Sequence, residues 1–75
     1  MSDWHREWQN RFPEDTREIV KFNSAGEKHR ADVLIEKCKI VYEFQHSSLT
    51  SKEFKERNNF YNRLGYKVIW IFDVE

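Results

Sequence analysis

"KIVYEFQHSS", residues 39–48, sets bulky apolar residues around two polar ones. Successive side chains of an extended chain point to opposite faces, so Glu43 and Gln45 share one face and Tyr42 and Phe44 the other. The preceding run "HRADVLIE", residues 29–36, alternates in the same way. With Lys37 and Cys38 as the loop, the two runs pair antiparallel: Glu36 faces Lys39, Leu34 faces Val41, Asp32 faces Glu43 and Arg30 faces Gln45. One face then carries Arg30, Asp32, Leu34, Val41, Glu43 and Gln45. The other, with Ala31, Val33, Ile35, Ile40, Tyr42 and Phe44, is wholly apolar. A slip of one residue would turn one strand's whole apolar set outward, so the pattern supports this register.

The rest of the fold follows outward from this hairpin. "TREIVKF", residues 16–22, is a β-rich run, and "NSAGEK", residues 23–28, is a polar connection containing glycine; together they predict a first hairpin. Upstream, Trp4, Trp8 and Phe12 recur on one face of a short helix that ends at Pro13, with Ser2 or Asp3 as its cap. Downstream, Thr50 and Glu53 form a capping box, Leu49 is placed to staple onto Phe54, and Gly65 is a C-terminal stop. Phe54, Tyr61 and Leu64 line the inner face of this second helix, with Arg57 between them. "YKVIWIFD", residues 66–73, reads as a strand buried on both faces. The order is helix, three strands, helix, strand: a single α+β domain over residues 1–75, with a crossover helix that lets the last strand run parallel to its neighbour.

Seventy-five residues give one small core, which buries only about 60% of the surface its unfolded chain exposes. Three tryptophans, three tyrosines and six phenylalanines offset part of that deficit. The marginal core leads us to expect a homo-oligomer or a place within a longer protein. Thirteen basic and thirteen acidic side chains cancel, so contact with nucleic acid has to come from a local patch. The single cysteine, Cys38, excludes an internal disulfide and a multi-cysteine zinc site and suits a reducing cytoplasm. The charged start "MSDWHREWQN" has no signal-peptide core, and no apolar run reaches membrane-spanning length.

Asp32 and Glu43, as cross-strand neighbours, place two carboxylates about 4.5–5.5 Å apart at Cβ. Such a pair suits a hard divalent cation, Mg²⁺ or Mn²⁺, completed by waters and a backbone carbonyl such as that of Phe44. Gln45, on the same face, can orient a water but cannot take its proton. Phosphodiester hydrolysis through a metal-activated water is the chemistry such a set would serve. The residues alone leave a second reading open, in which Asp32 pairs with His29 or Arg30 and Glu43 with Arg57. His29 and His46 flank the motif strands as ordinary polar residues. Ser47 and Ser48 fit a helix-entry turn better than a nucleophile. Lys52, Lys55 and Arg57 on the second helix are candidates for phosphate contacts that position a DNA strand.

Asp…Glu-x-Gln on the second and third strands of an αβββαβ core resembles the PD-(D/E)XK nuclease superfamily, with Gln45 where lysine usually stands. The ordered series "HREW", "HRADVLIE", "YEFQHSSLT", "ERNNFY" and "VIWIFD" is similar to the nuclease domain of the CoiA-like competence proteins over nearly the whole chain. The resemblance implies a minimal restriction-endonuclease-like core with a central mixed four-stranded sheet, and a metal-dependent DNA nuclease. It maps Asp32 and Glu43 onto the metal-binding acids and Gln45 onto the lysine-equivalent position. His5 maps onto the first-helix histidine, placed to contact the phosphate, and Glu18 onto a first-strand acid preceding the motif, which would complete the ligand set or hold a second ion. A lysine would supply a charge where Gln45 supplies a dipole, although the CoiA-like pattern itself has glutamine there. Two other functions compete: a nucleic-acid-binding module of the same fold without turnover, and an oligomerisation domain built on the aromatic surplus.

Overall fold

The computed structural model describes residues 3–45 and 49–72; Ser2, His46, Ser47 and Ser48 lie outside the described residues. Helix α1 spans Asp3–Gln9, and strands β1, β2 and β3 span Arg17–Phe22, Lys28–Ile35 and Ile40–Gln45. Helix α2 spans Ser51–Arg63 and strand β4 Lys67–Phe72. The sheet order is β1-β2-β3-β4, antiparallel except for the parallel β3–β4 pair that the α2 crossover allows. This is the expected α+β core with its mixed four-stranded sheet.

The second hairpin has the expected register, with Leu34 opposite Val41 and Val33 opposite Tyr42. Its turn is longer than two residues. Strand pairing stops at Ile35 and Ile40, and residues 36–39 close through a bond from Lys39 N–H to Glu36 C=O of 3.2 Å, with Lys39 at φ 55°. The Glu36 carboxylate accepts from the Tyr66 hydroxyl at 2.6 Å and pairs with Lys39 and Lys21. Lys39 first and Tyr66 second hold its carboxyl down at about 2. In the first hairpin Asn23 Oδ1 accepts from the N–H groups of Ala25 and Glu27, an Asx turn completed by Gly26 at φ 85°.

Tyr42 and Phe44 meet Phe12, and Phe44 also stacks on Trp8, whereas Val41 packs with Phe60 and Tyr61 of α2. Because alternate β3 residues point opposite ways, α1 and α2 lie on opposite faces of the sheet. Helix α1 stops at Gln9, earlier than the aromatic spacing suggests, and Phe12 reaches the sheet from the turn that follows. The Arg17 guanidinium holds that turn by donating to Phe12 C=O at 2.7 and 3.1 Å.

Two further expectations change. Ala31 joins Leu34 and Val41 in the core under α2, so the division of β2 into one polar and one apolar face does not hold. The β1–β2 ladder passes from Arg17–Val33 to Ile19–Ala31, and Glu18, between them, has φ 52°. The alternation changes phase at Asp32. Strand β4 is also not buried on both faces: it is a sheet edge, half-buried, with Phe72 48% exposed. Helix α2 covers one of its faces through Phe54 and Asn58 against Trp70, and α1, on the other face, packs on β3 through Trp8 and Phe44.

Thr50 caps α2, its hydroxyl accepting from Glu53 N–H at 3.1 Å. The helix ends in a Schellman motif, with Tyr66 N–H bonded to Tyr61 C=O, Gly65 N–H to Asn62 C=O, and Gly65 at φ 94°. No atom lies within 4 Å of a Cβ built on Gly65, so the penalty of a side chain there is purely conformational. We expect Gly65→Ala to lower stability by about 1–2 kcal/mol, read as a lower urea midpoint with an unchanged slope.

Candidate active site

Apolar residues bring β2 and β3 together, and they part where the acids begin. The last β2–β3 ladder pair in that direction is Val33 with Tyr42. Beyond it, Phe44 N–H donates to Asp32 Oδ2 at 2.8 Å, so a carboxylate takes a main-chain donor of the neighbouring strand. Asp32 N–H donates in turn to Glu43 Oε2, at 3.4 Å. Asp32 C=O accepts from Gln9 Nε2 of α1 at 3.1 Å. The expected Asp32–Glu43 neighbourhood is present, held by side chains, whereas the β2–β3 ladder does not extend to the expected Arg30–Gln45 pair, and Arg30 is in register with Val20 of β1 on the other edge.

His5 reaches the same carboxylate from α1, with Nε2 3.1 Å from Asp32 Oδ1 and its ring edge-on to Phe44 at 5.9 Å. Four residues on, Gln9 is buried at 5% exposure, which is what turns its amide toward β2. Gln45 ends β3, half-buried and two residues beyond Glu43. Lys52 and Lys55 are exposed on α2, and Arg57 is half-buried on the same helix. Glu18 is exposed and lines a cavity of about 510 Å³ with Arg6, Gln9, Asn10, Glu14 and Arg17. The structure does not bring Glu18 together with Asp32 and Glu43: among the described residues no three His, Cys, Asp or Glu side chains converge as a metal-ligand group. His29 packs edge-on against Phe60 at 4.6 Å.

Glu43 is the unusual group. It is only 2% exposed, and its Oε1 has no hydrogen-bond partner among the described residues. Burial first, and the Asp32 charge second, push its carboxyl up to about 8, while Arg57 pulls the other way. This arrangement fits a hard divalent cation. The donors are all oxygen, one is buried without a partner, and Mg²⁺ characteristically takes one or two carboxylates and keeps several waters. Asp32 and Glu43 would hold it.

Neither Gln9 nor Tyr61 is singled out by the residue pattern. Tyr61 is fully buried against Val41 and Leu34, and its hydroxyl also lacks a partner among the described residues. The available signals were slight: an amide beside Trp8 on an aromatic helix face, and a tyrosine four residues after Arg57.

The Glu43 shift has a definite sign in stability. Its carboxyl keeps a proton up to about 8 in the folded metal-free chain but loses it near the ordinary value of 4.5 when unfolded. The folded state therefore binds more protons between those values. The stabilisation from this group is fully present below 4.5 and is lost as pH rises through about 8. In EDTA, we expect Glu43→Gln to match the wild type near pH 4 and to exceed it at pH 8 by on the order of a few kcal/mol, measured by urea unfolding at both pH values.

The family model described as "Competence protein CoiA, nuclease-like domain" matches residues 20–75, a span that contains Asp32, Glu43 and Gln45 but not α1. No curated protein and no solved structure gives a significant match. With three-quarters of its length inside that model, and with the paired acids at the parting of its second and third strands, the chain belongs to the family of CoiA nuclease-like domains.

Proposed function

We propose that this chain is a metal-dependent DNA nuclease that hydrolyses phosphodiester bonds, with Asp32 and Glu43 as ligands of Mg²⁺ or Mn²⁺. One observation carries the reading: a nearly buried glutamate, with an oxygen that has no partner among the described residues, stands against a second carboxylate. An isolated arrangement of that kind is costly, and a divalent cation offsets both charges at once. Bound there, the cation would act as a Lewis acid on a phosphoryl oxygen and lower the pKa of a water.

The chain's own residues do the rest. Asp32 is fixed at its carboxylate Oδ2 by Phe44 N–H and at its main-chain carbonyl by Gln9, which leaves Oδ1 on the side of His5. Gln45 would orient the attacking water with its amide dipole without taking its proton, which would leave to bulk water. His5, with Nε2 3.1 Å from Asp32 Oδ1, is placed to meet a phosphate oxygen beside that carboxylate. Lys52 and Lys55, exposed on α2, position a DNA backbone, and Arg57 divides its charge between that backbone and Glu43.

Supercoiled plasmid and single-stranded DNA, incubated with the protein in Mg²⁺, Mn²⁺ or EDTA, test this directly. We expect cleavage only with metal. Asp32→Ala and Glu43→Gln, at matched folding, should reduce it by more than the ~10- to 100-fold typical of losing an outer-shell partner. A folded, Mn²⁺-loaded wild type that binds DNA and cuts nothing would replace this reading with that of a non-catalytic nucleic-acid-binding module.

A further inference from the structure

The parallel β3–β4 register sets Trp70 beside Glu43 and Phe72 beside Gln45, and side-chain alternation puts all four on the face that α2 covers. A row of rings therefore flanks the polar row of the candidate site. Trp70 is anchored: its Nε1 donates to Asn58 Oδ1 at 2.8 Å, and its indole lies against Phe54 at 4.9 Å. Phe72 stacks on that indole, with centroids 5.9 Å apart and planes 12° from parallel. The stack thus runs from a fixed indole to a ring that is half open to solvent. With Leu49, Ser51, Phe54 and Lys55, Phe72 lines an open cavity of about 360 Å³.

We infer that Phe72, backed by Trp70, is a stacking platform for an unpaired base, so that the strand taken at this site is single-stranded DNA rather than a continuous duplex. The inference rests on the proposed placement of the scissile strand at Asp32 and Glu43. Duplex DNA turns base edges to its grooves, and a ring can stack only on a base that has left the helix. Phe72 lies two residues along and one strand across from Glu43, about 8 Å between backbone positions. At about 3.4 Å per stacked base, that sets the base roughly two or three nucleotides from the scissile bond. A nucleotide uses the whole lining at once, its base on the ring and its phosphate at Lys55 and Ser51. Lys52, three residues before Lys55 and also exposed, extends the charge along the same side of α2. Every base has a π face, so such a platform takes single strands with little regard to sequence. The anchored indole holds the ring in place before the strand arrives, which lowers the ordering cost of binding.

The test is fluorescence anisotropy in EDTA at one salt concentration, with three probes: oligothymidylate, an abasic deoxyribose-phosphate chain of equal length, and a blunt hairpin duplex. We expect the wild type to prefer oligothymidylate to both others. Phe72→Leu, which keeps apolar bulk and removes the ring face, should bind oligothymidylate about 10-fold more weakly and the abasic chain as the wild type does. Phe72→Tyr, which keeps the ring, should retain wild-type affinity, and Lys55→Ala should weaken oligothymidylate and abasic chain alike. Equal oligothymidylate affinity in wild type and Phe72→Leu overturns the platform, as does a wild type that binds the abasic chain as tightly as oligothymidylate. Sedimentation as a dimer that Phe72→Leu dissociates, with oligothymidylate affinity unaltered, overturns it in favour of a contact between copies. Cleavage of the same probes in Mn²⁺ is scored apart. Cutting by the wild type with no effect of Phe72→Leu on affinity overturns the platform alone. Selective loss of oligothymidylate affinity in Phe72→Leu, with no cutting by the wild type, supports the platform and overturns the nuclease reading.

Discussion

The 2.8 Å bond from Phe44 N–H to Asp32 Oδ2 is the joint on which the site depends. A regular ladder would meet that donor with a carbonyl and leave the aspartate side chain free to turn. Here the carboxylate itself joins β3, so Asp32 is fixed by main-chain geometry rather than by packing alone. Its amide and carbonyl are consequently met from elsewhere, by Glu43 Oε2 and by Gln9 Nε2. Because buried main-chain groups go unpaired only at a cost, each substitution of a side chain for a strand partner demands the next. The parting of the two strands, the position of α1 and the burial of Glu43 are thus parts of a single arrangement.

That arrangement sets stability against function. A core of this size has little to spare, yet it holds a carboxyl pushed up to about 8 beside a second carboxylate. The metal-free chain avoids most of the penalty by leaving the proton on Glu43, and Arg57 on α2 reduces what remains. The aromatic side chains around the joint supply the compensating burial: Phe44 is 2% exposed and meets Trp8, Phe12 and His5 within about 6 Å. Exposed apolar residues are left to the two sheet edges, at Val20 and Phe22 on β1 and Phe72 on β4.

Much of this was legible in the residues, because the information was local or periodic. Alternation over residues 30–36 and 39–45 specified the register, and the register alone brought Asp32 to Glu43. Thr50, Glu53 and Gly65 marked the ends of α2 through capping chemistry that acts within a turn. The change of phase at Asp32 was not legible, since it arises when the side chain enters the ladder, and alternation presumes that it does not. Gln9 was missed for a related reason: its importance comes from a carbonyl 23 residues away. The edge position of β4 escaped because a continuous apolar run looks the same in a central strand and in an edge strand with one covered face. The resemblance to the CoiA-like domains placed His5 and Glu18 together with the acids, and the structure brings only His5.

The contrast between those two residues locates the boundary of the site. The family match begins at residue 20, after both of them, yet α1 contributes the Gln9 amide, the His5 imidazole and the aromatic cover over Phe44. Taken alone, residues 20–75 would leave Asp32 C=O without its donor and one face of Phe44 without its rings, just where β2 and β3 have already given up their ladder. The α1 segment is therefore part of the site's construction, although it carries neither carboxylate. Glu18 belongs to the same stretch but has its left-handed backbone opposite the break and its side chain in the cavity beside α1. Strand β1 pairs with β2 on both sides of it, Arg17 with Val33 and Ile19 with Ala31, so Glu18 stands opposite Asp32 in backbone register while its side chain lines a different cavity.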